Sequence, residues 1–151
     1  MRRNILLAFV LLAIFTGCSK TKFESVPQVK VKSLSPGQVF KGDIITLKAR
    51  VTDKEGDLQD SLLLVFKRFD TDNTSLLSVD TLRASLNPID FPDTKDIEVQ
   101  VQFSYGELQQ PYYFLNTESD DRHISFGVIV QDRAGHRSNY DESGQIVLKK
   151  I

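Results

Sequence analysis

Two short acidic segments contain the side chains best suited to binding chemistry. The first carries Asp53, Glu55 and Asp57 in alternation, with Asp60 just after it, and the second carries Asp132. Carboxylate oxygens are the ligands that Ca²⁺ prefers in proteins. Because the two segments lie far apart in the chain, they predict a calcium site only in a fold that brings two loops together.

A second interpretation of the same segments needs no metal. Asp and Gly are common turn residues, which alone would explain their presence between strands. The cationic side chains Arg133, His136 and Arg137 follow Asp132 and could form surface ion pairs with the carboxylates. A metal site requires convergent carboxylates, whereas ion pairs require carboxylates that turn toward these cations. Calcium is the only cofactor that the sequence suggests.

The aromatic stretch around Tyr112 and Tyr113 is a candidate ligand-binding surface. Together with Tyr105 and Phe114 it could stack on a sugar ring or anchor a protein partner. The chain has no Trp, which weakens the case for a sugar because Trp offers the largest stacking face. The alternative is that these rings pack in the core or at a sheet edge.

Catalytic chemistry finds little support in the residue pattern. His123 and His136 have no neighbours typical of a catalytic triad or a histidine-ligated metal, and no serine lies in a Gly-x-Ser-x-Gly context. A carboxylate pair for glycoside hydrolysis would come together only in the folded chain. The sequence therefore predicts a noncatalytic protein, and a small envelope hydrolase is the alternative from another class.

The first residues of the chain predict an export signal. Two arginines are followed by an apolar run from Ile5 to Phe15, which is too short to span a bilayer, and by Thr16-Gly17. The sequence Phe15-Thr16-Gly17-Cys18 resembles a bacterial lipoprotein lipobox, with Phe15 in place of the usual Leu, as in the looser pattern of the Bacteroidetes. The resemblance implies that residues 1–17 are removed and that Cys18, the only cysteine, carries the lipid.

Two further expectations follow from this resemblance. Residues 18–27 are polar and would tether the domain to the lipid. Ser19 after the cysteine is similar to lipoproteins sorted to the outer membrane, where the protein would lie on the periplasmic or the cell-surface side. The membrane is then a partner through the lipid anchor.

The size and charge of the mature chain limit the number of domains and the kinds of partner that we expect. Removal of residues 1–17 would leave 134 residues, which is in the usual range for one domain. Arg2 and Arg3 leave with the signal, so 17 basic residues face 20 acidic ones and the formal charge is near −3. This mild acidic balance gives no electrostatic reason to expect nucleic acid as a partner.

From Gln28 onward, apolar residues recur at every second position in short segments separated by turn residues. This period predicts about seven strands, and hence an all-β, immunoglobulin-like or fibronectin-like antiparallel β-sandwich over residues 28–151. In such a sandwich, the loop after the second long strand and the loop between the last two strands lie at the same end. That placement would bring the two acidic segments together.

Three segments carry a resemblance to bacterial immunoglobulin-like and cadherin-like surface domains. They are Gly42-Asp43-Ile44-Ile45-Thr46-Leu47, Val51-Thr52-Asp53-Lys54-Glu55-Gly56-Asp57 and Val130-Gln131-Asp132-Arg133-Ala134-Gly135-His136. The resemblance implies a cell-envelope setting. The predicted function is a lipid-anchored, noncatalytic binding or structural module that contacts an envelope protein or a glycan. A calcium-rigidified adhesion domain is the alternative.

Overall fold

A computed structural model describes residues 26–58, 61–85 and 95–151, and the described chain is all-β. The ten strands are β1 (Gln28–Ser35), β2 (Gln38–Val39), β3 (Ile44–Thr52), β4 (Ser61–Phe69), β5 (Leu76–Ser85), β6 (Asp96–Tyr105), β7 (Tyr113–Leu115), β8 (Arg122–Gln131), β9 (Asp141–Glu142) and β10 (Ile146–Leu148). In these three stretches, no helix is long and apolar enough to cross a membrane. Cys18, Asp60 and the loop predicted around Asn87–Asp93 lie outside the described residues.

The strands form two sheets. The four-stranded sheet has the order β1-β3-β6-β7, and the six-stranded sheet has the order β2-β10-β8-β4-β5, with β9 paired to β8. The long pairings are antiparallel. The register is continuous between β3 and β6 and between β4 and β8, and it shifts by a bulge or irregularity between β1 and β3 and between β4 and β5. The prediction of an all-β sandwich is confirmed.

Alternation of apolar and polar residues explains which side of each strand faces the core. In β3, Ile45, Leu47, Ala49 and Val51 are buried, while the residues between them are partly or fully exposed. Burial of these apolar side chains between the sheets is the main stabilising contribution. At the centre, the rings of Phe66, Phe103 and Phe126 pack with centroids 4.9 to 5.5 Å apart.

The predicted antiparallel arrangement is wrong for two pairings. The short strand β2 pairs parallel to β10, and β7 pairs parallel to β6. The prediction of about seven strands covers all the long ones and misses β2, β7 and β9. These three strands have two or three residues each, and unlike the equally short β10, whose Ile146 and Leu148 are both aliphatic, none has aliphatic residues two positions apart.

The two ends of the sandwich are formed by different loops and chain segments. At one end, here called the entry end, Gln28 pairs with Thr52, so the chain enters the domain beside the loop that follows β3. Pro27, predicted as part of the tether, is already buried there. At the opposite end, here called the far end, Gln109 Nε2 donates to Gly42 O at 3.0 Å. The far end thus consists of the loop before β3, the loop after β6 and the last residues of the chain.

All described core residues lie between Val29 and Leu148. A chain that begins at Ser19 therefore keeps every one of them. Such a chain is therefore suited to measurements on the domain.

Candidate functional site

The fold brings three of the predicted acidic side chains into one cluster at the entry end. Asp53, Asp57 and Asp132 each place a carboxylate oxygen within 4.8 Å of the others. Asp53 is 4% exposed and Asp132 is 1% exposed, which is unusual for ionisable side chains. These three residues are called the acidic cluster below.

Asp53 is held in place by the turn that follows β3. Its Oδ2 accepts hydrogen bonds from the backbone N–H groups of Gly56, at 2.7 Å, and Asp57, at 3.3 Å. Gly56 has a φ of 79°, in the left-handed region that glycine adopts without strain. This turn directs the second oxygen of Asp53, Oδ1, into the cluster.

Asp132 is held by a second turn, directly after β8. Its Oδ1 accepts a hydrogen bond from His136 N at 2.8 Å, and its Oδ2 lies 3.0 Å from His136 Nδ1. The two turns are joined because Arg133 N donates to Asp57 O at 3.1 Å. Backbone hydrogen bonds, rather than the carboxylates, therefore hold the two loops together.

The acidic cluster contains carboxylate oxygens that accept no hydrogen bond from the described residues. Asp53 Oδ1 and Asp57 Oδ1 are buried, and neither has a hydrogen-bond partner among the residues that the structure describes. Burial, the adjacent Asp53 side chain and the nearby charge of Asp132 raise the pKa of the Asp57 carboxyl above its ordinary value. Buried carboxylates in such a position need either a shared proton or a cation.

The other residues predicted for this region behave differently. Glu55 is exposed and does not belong to the cluster, and Asp60 lies outside the described residues. Of the three cations weighed as ion-pair partners, only His136 pairs with a cluster carboxylate. Within the described chain, Arg133 and Arg137 form no ion pair.

The aromatic candidates Tyr112 and Tyr113 line a groove of about 240 Å³ between the edges of the two sheets. The other lining residues are Leu62, Ala84, Val99, Gln100, Val101, Gln102 and Pro111. Tyr113 is 39% exposed, and its ring lies 5.8 Å from that of Phe103, centroid to centroid. The structure thus places both tyrosines at a surface, with Tyr113 in contact with a core ring.

Tyr105 is not part of this surface. It is fully buried, its hydroxyl donates to Lys149 O at 2.9 Å, and the same hydroxyl accepts from Glu118 N at 3.0 Å. Its role is to join the far-end loops. Phe114, in contrast, is 46% exposed and shares the far end with Phe40 and Leu108, which are 55% and 71% exposed. The sequence analysis did not single out Phe40 or Leu108, because a lone apolar residue in a loop gives no periodic signal.

Comparisons with known proteins give no family for this chain. No known family profile matches it, and no curated protein sequence matches it significantly. Solved structures with a similar arrangement include three proteins of different kinds, each at low identity. The sporulation control protein Spo0M from Bacillus subtilis has 10% identity and a TM-score of 0.44, and the match covers 85% of this chain and 51% of Spo0M. A β-glucosidase from Listeria innocua in complex with gluconolactone has 9% identity and a TM-score of 0.38, over 83% of this chain and 16% of the enzyme. A CARDB domain from Pyrococcus furiosus in complex with di-metal ions has 10% identity and a TM-score of 0.33, over 85% of this chain and 98% of that domain.

This chain therefore spans about half of Spo0M and a small part of the β-glucosidase. The TM-scores are too low to carry an argument about function. The chain itself has an all-β architecture of two packed sheets, and its function has to be argued from its own side chains.

Proposed function

We propose that this protein is a noncatalytic, immunoglobulin-like binding module of the bacterial cell envelope, anchored through a lipid on Cys18. The single observation that supports the binding role is the position of three of the exposed apolar side chains. Phe40, Leu108 and Phe114 lie at the far end, opposite the point where the tether enters. A domain held at one end presents the other end to its surroundings.

The exposed far-end residues Phe40, Leu108 and Phe114 are called the far-end surface below. Exposed aromatic and large aliphatic side chains cost solvation free energy, and contact with a partner recovers it. Aromatic rings are enriched among the residues that dominate protein interfaces. The absence of Trp makes a protein the preferred partner over a glycan.

A hydrolase is less well supported because two of the three cluster acids are buried away from a substrate-sized molecule. Asp53 and Asp132 are almost completely buried. The groove at Tyr112 and Tyr113 has no acidic side chain among the described residues that line it. His123 pairs with no carboxylate in the described part of the chain, and the Asp132 partner of His136 is itself buried.

Site-specific photo-crosslinking in the native host tests the binding role. A photoreactive phenylalanine analogue replaces Leu108 in one variant and Phe114 in another. Both positions are exposed, so the substitution leaves the core intact. We expect a discrete crosslinked product with one envelope protein at both positions.

The matched control places the same analogue at Lys54, an exposed position at the entry end. No crosslink to that partner is expected there, because this end faces the tether. Equal products at Lys54 and Leu108, or no product at either far-end position, would overturn the proposal.

The acidic cluster favours a second, compatible function, which is stabilisation of the domain by Ca²⁺. The donor set fits this ion because it consists of three carboxylates, two of them with buried, unpartnered oxygens. Ca²⁺ takes about six to eight oxygen ligands, so backbone carbonyls or water would supply the remaining positions. The bound ion would neutralise the repulsion inside the cluster and fix the two loops to each other.

Thermal unfolding of the chain that begins at Ser19 tests this function. For a dissociation constant of about 0.1–1 mM, 10 mM Ca²⁺ would stabilise the folded state by about 1.4–2.7 kcal/mol relative to chelator. Asp57→Asn should abolish that gain. Glu55→Gln is the matched control, because Glu55 is an exposed carboxylate of the same loop. An unchanged midpoint in wild type, or an equal loss in both variants, would exclude a calcium site at the cluster.

A further inference from the structure

A groove on the outer face of the six-stranded sheet carries two arginines above an apolar floor. It has a volume of about 230 Å³ and is lined by Ser61, Leu63, Arg83, Ile129, Gln131 and Arg137. It is separate from the acidic cluster and from the groove at Tyr112 and Tyr113. No acidic side chain is among the described residues that line it.

The register of three neighbouring strands builds this groove. Leu63 on β4 pairs with Arg83 on β5 and with Ile129 on β8, so the three side chains form one row across the sheet. Strands are spaced by about 4.8 Å, which puts roughly 10 Å between the backbones at the two ends of the row. Two apolar side chains therefore form a floor beside one guanidinium.

The second guanidinium comes from the chain that follows β8. Arg137 forms an isolated bridge with Gln131 at the end of that strand, which returns it to the groove. Gln131 Oε1 also accepts a hydrogen bond from Arg83 Nη2 at 3.2 Å. One glutamine thus connects the elements that carry both arginines.

The two arginines differ from most others in the described domain because no carboxylate neutralises them. Arg50 pairs with Asp96, Arg68 with Asp80 and Glu118, and Arg122 with Asp120. Within the described residues, Arg83, Arg133 and Arg137 have no acidic partner. Two of these three line the same groove, in a chain with a net negative formal charge.

From this arrangement the structure assigns the groove as a binding site for an oxyanion, a phosphate or carboxylate group, carried on a small apolar body. Guanidinium groups bind both anions through paired N–H donors. Leu63 and Ile129 would contact the apolar part of the ligand. The groove lies near the entry end, so the anion comes either from a membrane lipid headgroup or from a soluble compound.

Methyl NMR of the chain that begins at Ser19 tests the site with phenyl phosphate as the probe. We expect saturable shifts of the Leu63 and Ile129 methyl resonances at millimolar concentrations. Arg83→Gln and Arg137→Gln should each weaken binding by about tenfold, the loss expected for one charge-assisted hydrogen bond. Benzyl alcohol, which keeps the ring and lacks the charge, should produce no saturable shift.

The matched control variant is Arg133→Gln, which removes an equally unpaired arginine outside the groove. It should leave phenyl phosphate binding unchanged. Equal weakening in this variant would show a general charge effect and overturn the site, as would the absence of saturable shifts in wild type. The retained methyl spectrum of each variant verifies that it is folded.

Cosedimentation with vesicles distinguishes the two sources of the anion. Binding to phosphatidylglycerol vesicles that exceeds binding to phosphatidylcholine vesicles, and that falls in Arg83→Gln but not in Arg133→Gln, identifies a lipid headgroup. Phenyl phosphate binding without such vesicle binding identifies a soluble oxyanion. Either result supports the site.

Discussion

The charge of Asp57 links the free energy of unfolding to what occupies the acidic cluster. Its Oδ1 is buried beside two other carboxylates and has no hydrogen-bond partner in the described part of the chain. Like charges separated by about 4 Å repel by a few kcal/mol at the effective dielectric constant of a protein. The local sequence adopts this arrangement because backbone hydrogen bonds in the two turns offset part of the repulsion.

We therefore expect Asp57→Asn to stabilise the protein in chelator. The amide removes one negative charge and brings N–H donors near the unpartnered Asp53 Oδ1. A gain of about 1 kcal/mol would raise the midpoint of thermal unfolding by roughly 3–5 °C at neutral pH. A lower midpoint than that of wild type in chelator would show that Asp57 makes a stabilising contact which the repulsion does not outweigh.

The acidic residues show what sequence could and could not predict at this scale. The positions of Asp53 and Asp132 directly after strands were sufficient to predict that the two loops lie at the same end of the sandwich. Whether the carboxylates converge or pair with nearby cations could not be predicted from the sequence. The exclusion of Glu55 was not predictable, because it depends on the turn at Gly56, whose left-handed backbone breaks the alternation that a strand would give to positions 53, 55 and 57. The approach of His136 to Asp132 also depends on a turn, whose geometry single residues do not specify.

At the scale of elements, the two-residue strand β9 is fixed to the outer face of the larger sheet by one carboxylate. Glu142 accepts hydrogen bonds from Lys67, Ser125 and Tyr140 at 2.5, 2.5 and 2.6 Å. The Lys67 ammonium also lies 5.3 Å from the centre of the Tyr140 ring. That ring covers Gly127 so closely that a Cβ there would lie 2.1 Å from a ring atom. Only glycine fits beneath it.

This attachment of β9 predicts a pH-dependent stability. Burial raises the pKa of the Glu142 carboxyl, but the hydrogen bonds from Lys67, Ser125 and Tyr140 outweigh burial and hold the pKa below 4.5, its ordinary value. A carboxyl with a lowered folded-state pKa stabilises the protein above the unfolded pKa. That contribution is lost as the pH falls through the folded pKa.

Glu142→Gln should accordingly cost about 1–2 kcal/mol at pH 7 in urea denaturation. The difference from wild type should shrink as the pH falls below 4.5. Glu98→Gln is the control, because Glu98 is 58% exposed and pairs with Lys48 only at the surface. A deficit in Glu142→Gln that stays constant from pH 7 to pH 3 would show that shape, rather than charge, holds β9.

The long strands were predictable because one face of each is buried and the other is not. Strand β4 was also recognisable as a central strand, since Leu62 to Phe66 are apolar on both faces and β4 lies between β5 and β8. Strands β2, β7 and β9 depend on tertiary pairing rather than on their own sequence. Their two or three residues acquire extended structure only beside a partner strand.

For the whole molecule, the sequence predicted the sandwich and the meeting of its acidic loops, but not the arginine groove. Arg83 and Arg137 are far apart in the chain and share no motif. They meet because β4, β5 and β8 are neighbours in one particular register. A shift of one residue in the β4–β5 pairing would move Arg83 to the opposite face, whereas Arg137 is placed by its bridge to Gln131.

The entry of the chain beside Thr52 also determines how the domain would carry mechanical load. A pull on the tether, resisted by a partner at the far end, would act along the length of β1. Seven residue pairs join β1 to β3, and the side chains of Asn139 and Asp141 bind the backbone N–H groups of Val29 and Val31. These bonds would be strained together in shear, instead of opening one after another from an end. The same two sheets that bury the core would thus let the domain bear tension without unravelling.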